Sequence, residues 1–149
     1  MKIEYRTGDL FSTDIWTIVH GCNAQGVMRS GVAKTVYEQY HAAYTEYRAQ
    51  YLKENKLQLG STISVEVNGK LIVNAITQEF YGRDGKRYVS YDAVAEAMHN
   101  INRSWRDNSA ETHIAMPQIG AGLGGGDWTV IAAIIESEMQ DIQPVVYVL

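Results

Sequence analysis

Apolar and polar residues alternate from Met1 to Tyr5, and Ile15 to His20 (I-W-T-I-V-H) is a short, mostly apolar run rich in β-branched residues. Both segments are predicted strands, the second buried on both faces. Ala33, Val36, Tyr37 and Tyr40 then recur at i, i+3, i+4 and i+7, and Tyr44, Tyr47 and Tyr51 carry the stripe to about Asn55. That spacing predicts one broken helix or two joined helices, closed by Gly60. Ser61 to Val67 and Lys70 to Thr77 flank Asn68-Gly69, the dipeptide of a tight hairpin, so these two strands are expected to be antiparallel. Ser90 is an expected N-cap for a helix with Val94, Ala97, Met98, Ile101 and Trp105 on one face. Thr112 to Met116 reads as a buried strand. Asp127 is placed to cap a helix striped by Trp128, Ile131, Ala132, Ile135 and Met139, and Val145 to Leu149 closes the chain as a strand.

Strands alternating with helices in this order imply an α/β protein: a three-layer α/β/α sandwich on a mixed, mostly parallel sheet of about six strands. No internal repeat, low-complexity tract or linker interrupts residues 1–149, so a single domain is expected. With 149 residues, 46% of them hydrophobic, the chain is long enough to bury a core without disulfides or a structural metal. The lone Cys22 agrees. Thirteen basic against seventeen acidic side chains leave a net charge of -4, which argues against broad electrostatic capture of nucleic acid or anionic lipid but leaves a local anion site open. No apolar run reaches the ~20 residues of a membrane helix, and the N-terminus has no signal-peptide core, so no membrane partner and a cytoplasmic location are expected.

Two segments resist assignment to helix or strand. Gly21 to Gly31 holds three glycines in eleven residues, and Gln118 to Gly126 holds five in nine. Both are expected to leave C-terminal strand ends and enter helices, the edge where open α/β sheets bind ligands. Side-chain-free backbone at a helix N-terminus suits a phosphate or diphosphate, although glycines alone are equally those of a flexible connection with a helix cap. There is no G-x-x-x-x-G-K-[ST], and the G-x-G-x-x-G of Gly120 to Gly125 lies too late in the chain for a dinucleotide-binding strand-turn-helix. His20, His41, His99 and His113 have no ligand spacing with Cys22 or carboxylates, so no metal and no cofactor are expected.

The Gly8-Asp9-Leu10-Phe11 stretch, the strand ending in His20-Gly21-Cys22-Asn23, the Gly26 to Ala33 segment and Met116-Pro117-Gln118-Ile119-Gly120-Ala121-Gly122-Leu123 together resemble a macro domain, in family order and over essentially the whole chain. The resemblance is closest to the short single-domain branch that includes ADP-ribose 1''-phosphate phosphatases and terminal ADP-ribose protein glycohydrolase. It implies ADP-ribose or a derivative as ligand, free or on a modified macromolecule. Asp9 and Leu10 would then hold the adenine, and Asn23 the distal ribose. Gly31, Val32 and Ala33 would offer backbone N–H groups to the diphosphate, and Ile119, Gly120, Ala121, Gly122, Leu123 and Gly124 would form the opposite wall. Phe80 and Tyr81 would cover the distal ribose, with Glu79 or Asp84 nearby as carboxylates. Read without the family, Asp9 is a turn residue and Asn23 an Asx-turn residue.

The chain departs from the glycohydrolase pattern, which has a Lys where this sequence has Gln78 and an Asp where it has Gly124. Gln forms no Schiff-base-type adduct and Gly transfers no proton, so that covalent route is not expected. His20 is the candidate catalytic residue, as an imidazole placed to protonate a leaving group, unless it is a buried His bonded to backbone. Arg29 is a candidate donor to a terminal phosphate. The expected function is therefore hydrolysis at the distal ribose, with ADP-ribose 1''-phosphate as substrate. Its alternatives are a non-catalytic ADP-ribose reader or sequestering module, or a mono-ADP-ribosyl hydrolase acting on modified protein or nucleic acid. Cys22 reads as a small buried residue. The Tyr37 to Tyr51 stripe reads as core and helix surface rather than a base-stacking platform, because only Arg48 and Lys53 lie near it in sequence.

Overall fold

The computed structural model describes residues 1–108 and 111–149. Its strands are β1 (Glu4–Thr7), β2 (Thr17–Asn23), β3 (Thr62–Val67), β4 (Lys70–Gln78), β5 (His113–Met116) and β6 (Gln143–Val148). They form one sheet in the order β1-β6-β5-β2-β4-β3, with β3 antiparallel to β4 and every other neighbouring pair parallel. The antiparallel pair turns through Asn68 (φ 50°) and Gly69 (φ 76°), the left-handed conformations that a two-residue hairpin turn requires.

Helices α1 (Gly31–Gln39) and α2 (His41–Glu54) cover one face of the sheet, and α3 (Tyr91–Asn108) and α4 (Trp128–Glu138) cover the other. Strand alternation assigns the layers. Ile18, Ile72 and Ile76 pack with Val36, Ala43 and Tyr47 on the α1/α2 side, while Val19, Val73 and Ala75 pack with Val94, Met98 and Ile131 on the α3/α4 side. The three-layer α/β/α sandwich and its mixed six-stranded sheet thus follow the hydropathy pattern.

Element ends differ from the expected ones for local reasons. β1 starts at Glu4 because the first residues are tied to α4 instead: the Met1 ammonium donates to the carbonyls of Glu136 (2.8 Å) and Met139 (2.7 Å), and Ile3 N–H donates to the Glu136 carboxylate. β2 runs on through Gly21-Cys22-Asn23, which sequence reading gave to the glycine loop, because β4 continues opposite it and pairs Gly21 with Ala75 and Cys22 with Ile76. The tyrosine stripe is two helices, broken at Tyr40, whose φ of -133° and ψ of 50° end α1 while its buried ring stacks on Phe11. α2 stops at Asn55 rather than Gly60, with Asn55 in the left-handed conformation common just past a helix end. Ser90 and Asp127 do cap α3 and α4, accepting from the N–H groups of Ala93 (3.1 Å) and Thr129 (2.9 Å).

One buried side chain joins α3 to the turn before β6. Asn102 Oδ1 accepts from the N–H groups of Asp141 (2.9 Å) and Ile142 (3.3 Å), and its Nδ2 donates to the Asp141 carboxylate (2.9 Å). Asn102→Ala strands those two amides, an expected loss of about 2 kcal/mol. Urea unfolding is expected to show a lower midpoint with an unchanged slope; an unchanged midpoint contradicts the role.

Candidate functional site

At the C-terminal edge of the sheet, β2 stands between β5 and β4, and the chain leaves this point toward both sides. Open α/β sheets bind ligands where the strand order reverses in this way. A cavity of about 400 Å³ lies there, within the roughly 300–1,000 Å³ typical of ligand sites. Gly21 and Cys22 of β2 contribute to its lining, as do Arg29, Ser30 and the first residues of α1. Thr77, Gln78 and the segment from Tyr81 to Arg83 line it from β4, and Pro117 to Gly120 and Gly122 to Gly124 line it from the loop after β5.

Two of these walls offer main-chain donors. Lys34 N–H makes the first bond of α1, to the Ser30 carbonyl (3.3 Å). Gly31, Val32 and Ala33 therefore keep the unpaired N–H groups of a helix N-terminus. On the facing wall, the N–H groups of Gly120, Gly122, Leu123 and Gly124 have no hydrogen-bond partner among the described residues, whereas Ala121 N–H is spent on the Gln118 carbonyl (3.2 Å). Ala121 is also absent from the lining.

Gly120 and Gly124 leave this wall bare backbone because no side chain fits at either position. A Cβ on Gly124 would sit 2.7 Å from the Gly120 carbonyl oxygen, and one on Gly120 would sit 2.6 Å from Val89 at a φ of 77°. The loop is pinned by Gly126 N–H on the Gly120 carbonyl (2.8 Å) and by Tyr88 and Val89 N–H groups on the Gly124 carbonyl (2.7 and 3.0 Å). Gly122 differs: it is exposed on the lining, and a Cβ there meets nothing within 4 Å.

Asn23 lines the cavity, but its carboxamide chiefly builds the loop. Oδ1 accepts from Gln25 N–H (2.9 Å), Nδ2 donates to the Val27 carbonyl (2.8 Å), and the buried Tyr47 hydroxyl lies 2.6 Å from the Asn23 carbonyl and 2.9 Å from Oδ1. Across the cleft, Arg83 donates to Ser30 Oγ, so the segment after β4 is latched to the start of α1. Thr77 contributes a buried hydroxyl that is unpaired among the described residues, in the face of the Gly21 position. Sequence reasoning missed Arg83 and Thr77. Thr77 shares the parity of Val73 and Ala75, which was the available signal; nothing local marks Arg83.

Other expected residues are not brought to the cleft. His20 is 1% exposed and faces the α1/α2 layer with Ile18 and Cys22, because alternate residues of a strand share a face. Its Nε2 donates to Asn74 Oδ1 (2.6 Å), whose own Nδ2 donates to the Ala43 carbonyl (3.2 Å) and so fixes the amide orientation and the His20 tautomer. Burial lowers the His20 pKa to about 4, opposed by the Asn74 bond. The structure does not support the expected general acid-base role for His20: the ring is buried off the cavity lining and is neutral near pH 7. The same burial pushes the Cys22 thiol up, away from nucleophilic use. Asp9 and Leu10 do not line the cavity: the Asp9 carboxylate caps a 3-10 turn, accepting from Phe11 N–H (3.0 Å), and the Leu10 side chain is in the core. Tyr81 lines the cleft, while Phe80 is 58% exposed outside it. Glu79 pairs with Lys56 (2.5 Å) and Asp84 accepts from the Tyr88 hydroxyl (2.8 Å), both away from the lining. Among the described residues, no group of His, Cys, Asp and Glu could hold a metal, and no helix is long and apolar enough to cross a membrane.

The buried imidazole has a measurable signature. The unfolded chain protonates His20 near its ordinary 6.5, but the folded protein resists until about pH 4. The unfolded state therefore binds more protons between these values, so this stabilisation is complete above pH 6.5 and is lost as pH falls toward 4, by about 3 kcal/mol in all. The difference in unfolding free energy between the native protein and His20→Gln is expected to shrink by about that amount from pH 7 to 4. A difference independent of pH contradicts the burial.

The model of the macro domain family matches residues 19–135. The chain is 26% identical to an uncharacterized 17.5 kDa protein of Enterobacteria phage T4, over 98% of this chain and 96% of that protein. It is also 26% identical to the DNA ADP-ribosyl glycohydrolase of Mycobacterium tuberculosis, over 97% of this chain but only 42% of that protein's length. The solved macrodomain of Mycobacterium tuberculosis DarG superposes with a TM-score of 0.82 at 26% identity, covering 97% of this chain and 96% of that one. Matched over most of its length by the family's model, the chain belongs to the macro domain family.

Proposed function

We propose that the cleft binds the ADP-ribosyl group and serves as a recognition site. The observation that carries this is the pair of facing main-chain walls, the start of α1 and the loop from Gly120 to Gly124, whose free N–H groups suit a diphosphate. Arg29 and Arg83 add positive charge at the rim, so a protein of net charge -4 has a local site for a dianion. Asn23 would meet the distal ribose with its remaining amide hydrogen, and Tyr81 would cover the ring. Asp9 and Leu10 would meet the adenine from the end of β1, beyond the cavity, through groups that the 3-10 turn leaves free.

Catalysis by the cleft's own side chains has less support. The described lining contains no carboxylate, imidazole or lysine, and its one thiol is buried with a raised pKa. ADP-ribose 1''-phosphate is then a ligand whose extra phosphate would meet the arginines, and its hydrolysis would find no carboxylic acid or imidazole in the lining to donate a proton. Gln78, its Nε2 donating to the Phe80 carbonyl (2.7 Å), and Gly124, where no side chain fits, likewise leave the covalent glycohydrolase route without its lysine and acid. A second reading, removal of ADP-ribose from a modified macromolecule with the substrate supplying the acid or base, is favoured by the similarity to a DNA ADP-ribosyl glycohydrolase over 97% of this chain.

Calorimetric titration with ADP-ribose, ADP and AMP tests the binding claim. Dissociation in the micromolar range is expected, at least about tenfold tighter for ADP-ribose than for ADP. Gly122→Glu, which puts a carboxylate into open cleft space, is expected to weaken ADP-ribose about a hundredfold while leaving thermal stability unchanged. Absence of binding contradicts the reading. Phosphate release from ADP-ribose 1''-phosphate, or label release from an ADP-ribosylated oligonucleotide, would replace recognition by turnover.

A further inference from the structure

A second cavity, of about 500 Å³, lies between α1, α2 and the loop after β2. Val27 and Arg29 line both it and the ligand cleft, so one loop is the partition between them. The tyrosine stripe supplies its rings. Tyr37, 41% exposed, meets Tyr44 edge-on at 4.7 Å. Its cations come from three separate places in the sequence: Arg29 from the loop, Lys34 from α1 and Arg48 from α2, against the single carboxylate of Glu38. Arg48 is held in place by the Tyr51 ring (5.0 Å) and the Gly26 carbonyl (3.4 Å), whereas Arg29 and Lys34 take no ion pair among the described residues. Lys34 and Arg48 stand one helical turn from Tyr37 and Tyr44 on their own helices, and folding brings the two helices together and adds Arg29 from the loop.

We propose that this pocket binds single-stranded nucleic acid, a base lying against Tyr37 and Tyr44 and neighbouring phosphates against Arg29, Lys34 and Arg48. Aromatic faces beside a cationic track are what such strands require, since every base can stack and every linkage carries a charge. An acidic polypeptide would satisfy the cations but leave the rings without a planar partner. The pocket's position gives the pairing its use: a strand seated here continues past Arg29 into the neighbouring cleft, so a nucleotide bearing an ADP-ribosyl group would place that group there. Only this last step rests on the ADP-ribosyl reading of the cleft.

Fluorescence anisotropy of a short labelled oligodeoxythymidylate, titrated with the full chain at several salt concentrations, tests the proposal. Expected are saturable binding with a log K against log salt slope of about -2 for three phosphate contacts, and a slope flattened by about 0.7 in Lys34→Glu. Tyr37→Ala is expected to weaken the oligonucleotide about tenfold and Tyr37→Phe to restore it. ADP-ribose affinity, measured separately, is expected to be unchanged in the Lys34 and Tyr37 variants. No oligonucleotide binding, binding indifferent to Tyr37→Ala, or equal binding of oligoglutamate of matched charge would overturn the pocket. Failure of ADP-ribose alone to bind would overturn the reading of the cleft and leave the pocket standing.

Discussion

The organisation of the site depends on how closely backbone approaches backbone in the loop after β5. With Gly120 and Gly124 folded onto each other and onto Val89, those two positions of the wall have no volume for side chains. At these two positions it can therefore offer N–H dipoles and nothing that titrates. Such dipoles are fixed before any ligand arrives and bear no net charge, so they suit a phosphate group without a basic protein surface. The same crowding removes the position at which an acid would otherwise stand.

The opposite wall is held from beneath by buried polar bonds. Tyr47, fully buried in α2, reaches the carbonyl and carboxamide of Asn23, and Asn23 in turn folds the Gln25 to Val27 turn that leads to α1. Next to it, the run from His20 through Asn74 to the Ala43 carbonyl joins β2, β4 and α2 inside the core. His20, Asn74 and Tyr47 look catalytic in composition, yet none of them lines the cleft. Their satisfied bonds fit a role in fixing where α1 begins, and hence where its free N–H groups lie.

Periodicity carried most of the fold. The hairpin at Asn68-Gly69, the caps at Ser90 and Asp127 and the apolar stripes of α3 and α4 are local signals, and each stands where sequence reading puts it. The glycine loops likewise mark the cleft. What was not legible depended on strand parity and on contacts distant in sequence. The extension of β2 through Asn23 needed the pairing with β4, and it puts Cys22 on the face that Ile18 and His20 already share. Asp9 proved to cap a turn, as its residue type alone suggests. Arg83 meets Ser30 across 53 positions, and the packing of α1 on α2 that gathers Lys34 and Arg48 into one pocket with Arg29 likewise depends on contacts between elements.

The central claim is that main-chain donors on two facing walls form the binding surface. Amide chemical shifts of the ¹⁵N-labelled protein, followed as ADP-ribose is added, test it most directly. The largest saturable changes are expected at Gly31, Val32 and Ala33 and at Gly120, Gly122, Leu123 and Gly124, with little change at Ala121, whose N–H is already bonded. Saturable changes that leave these glycine-loop amides untouched would contradict it.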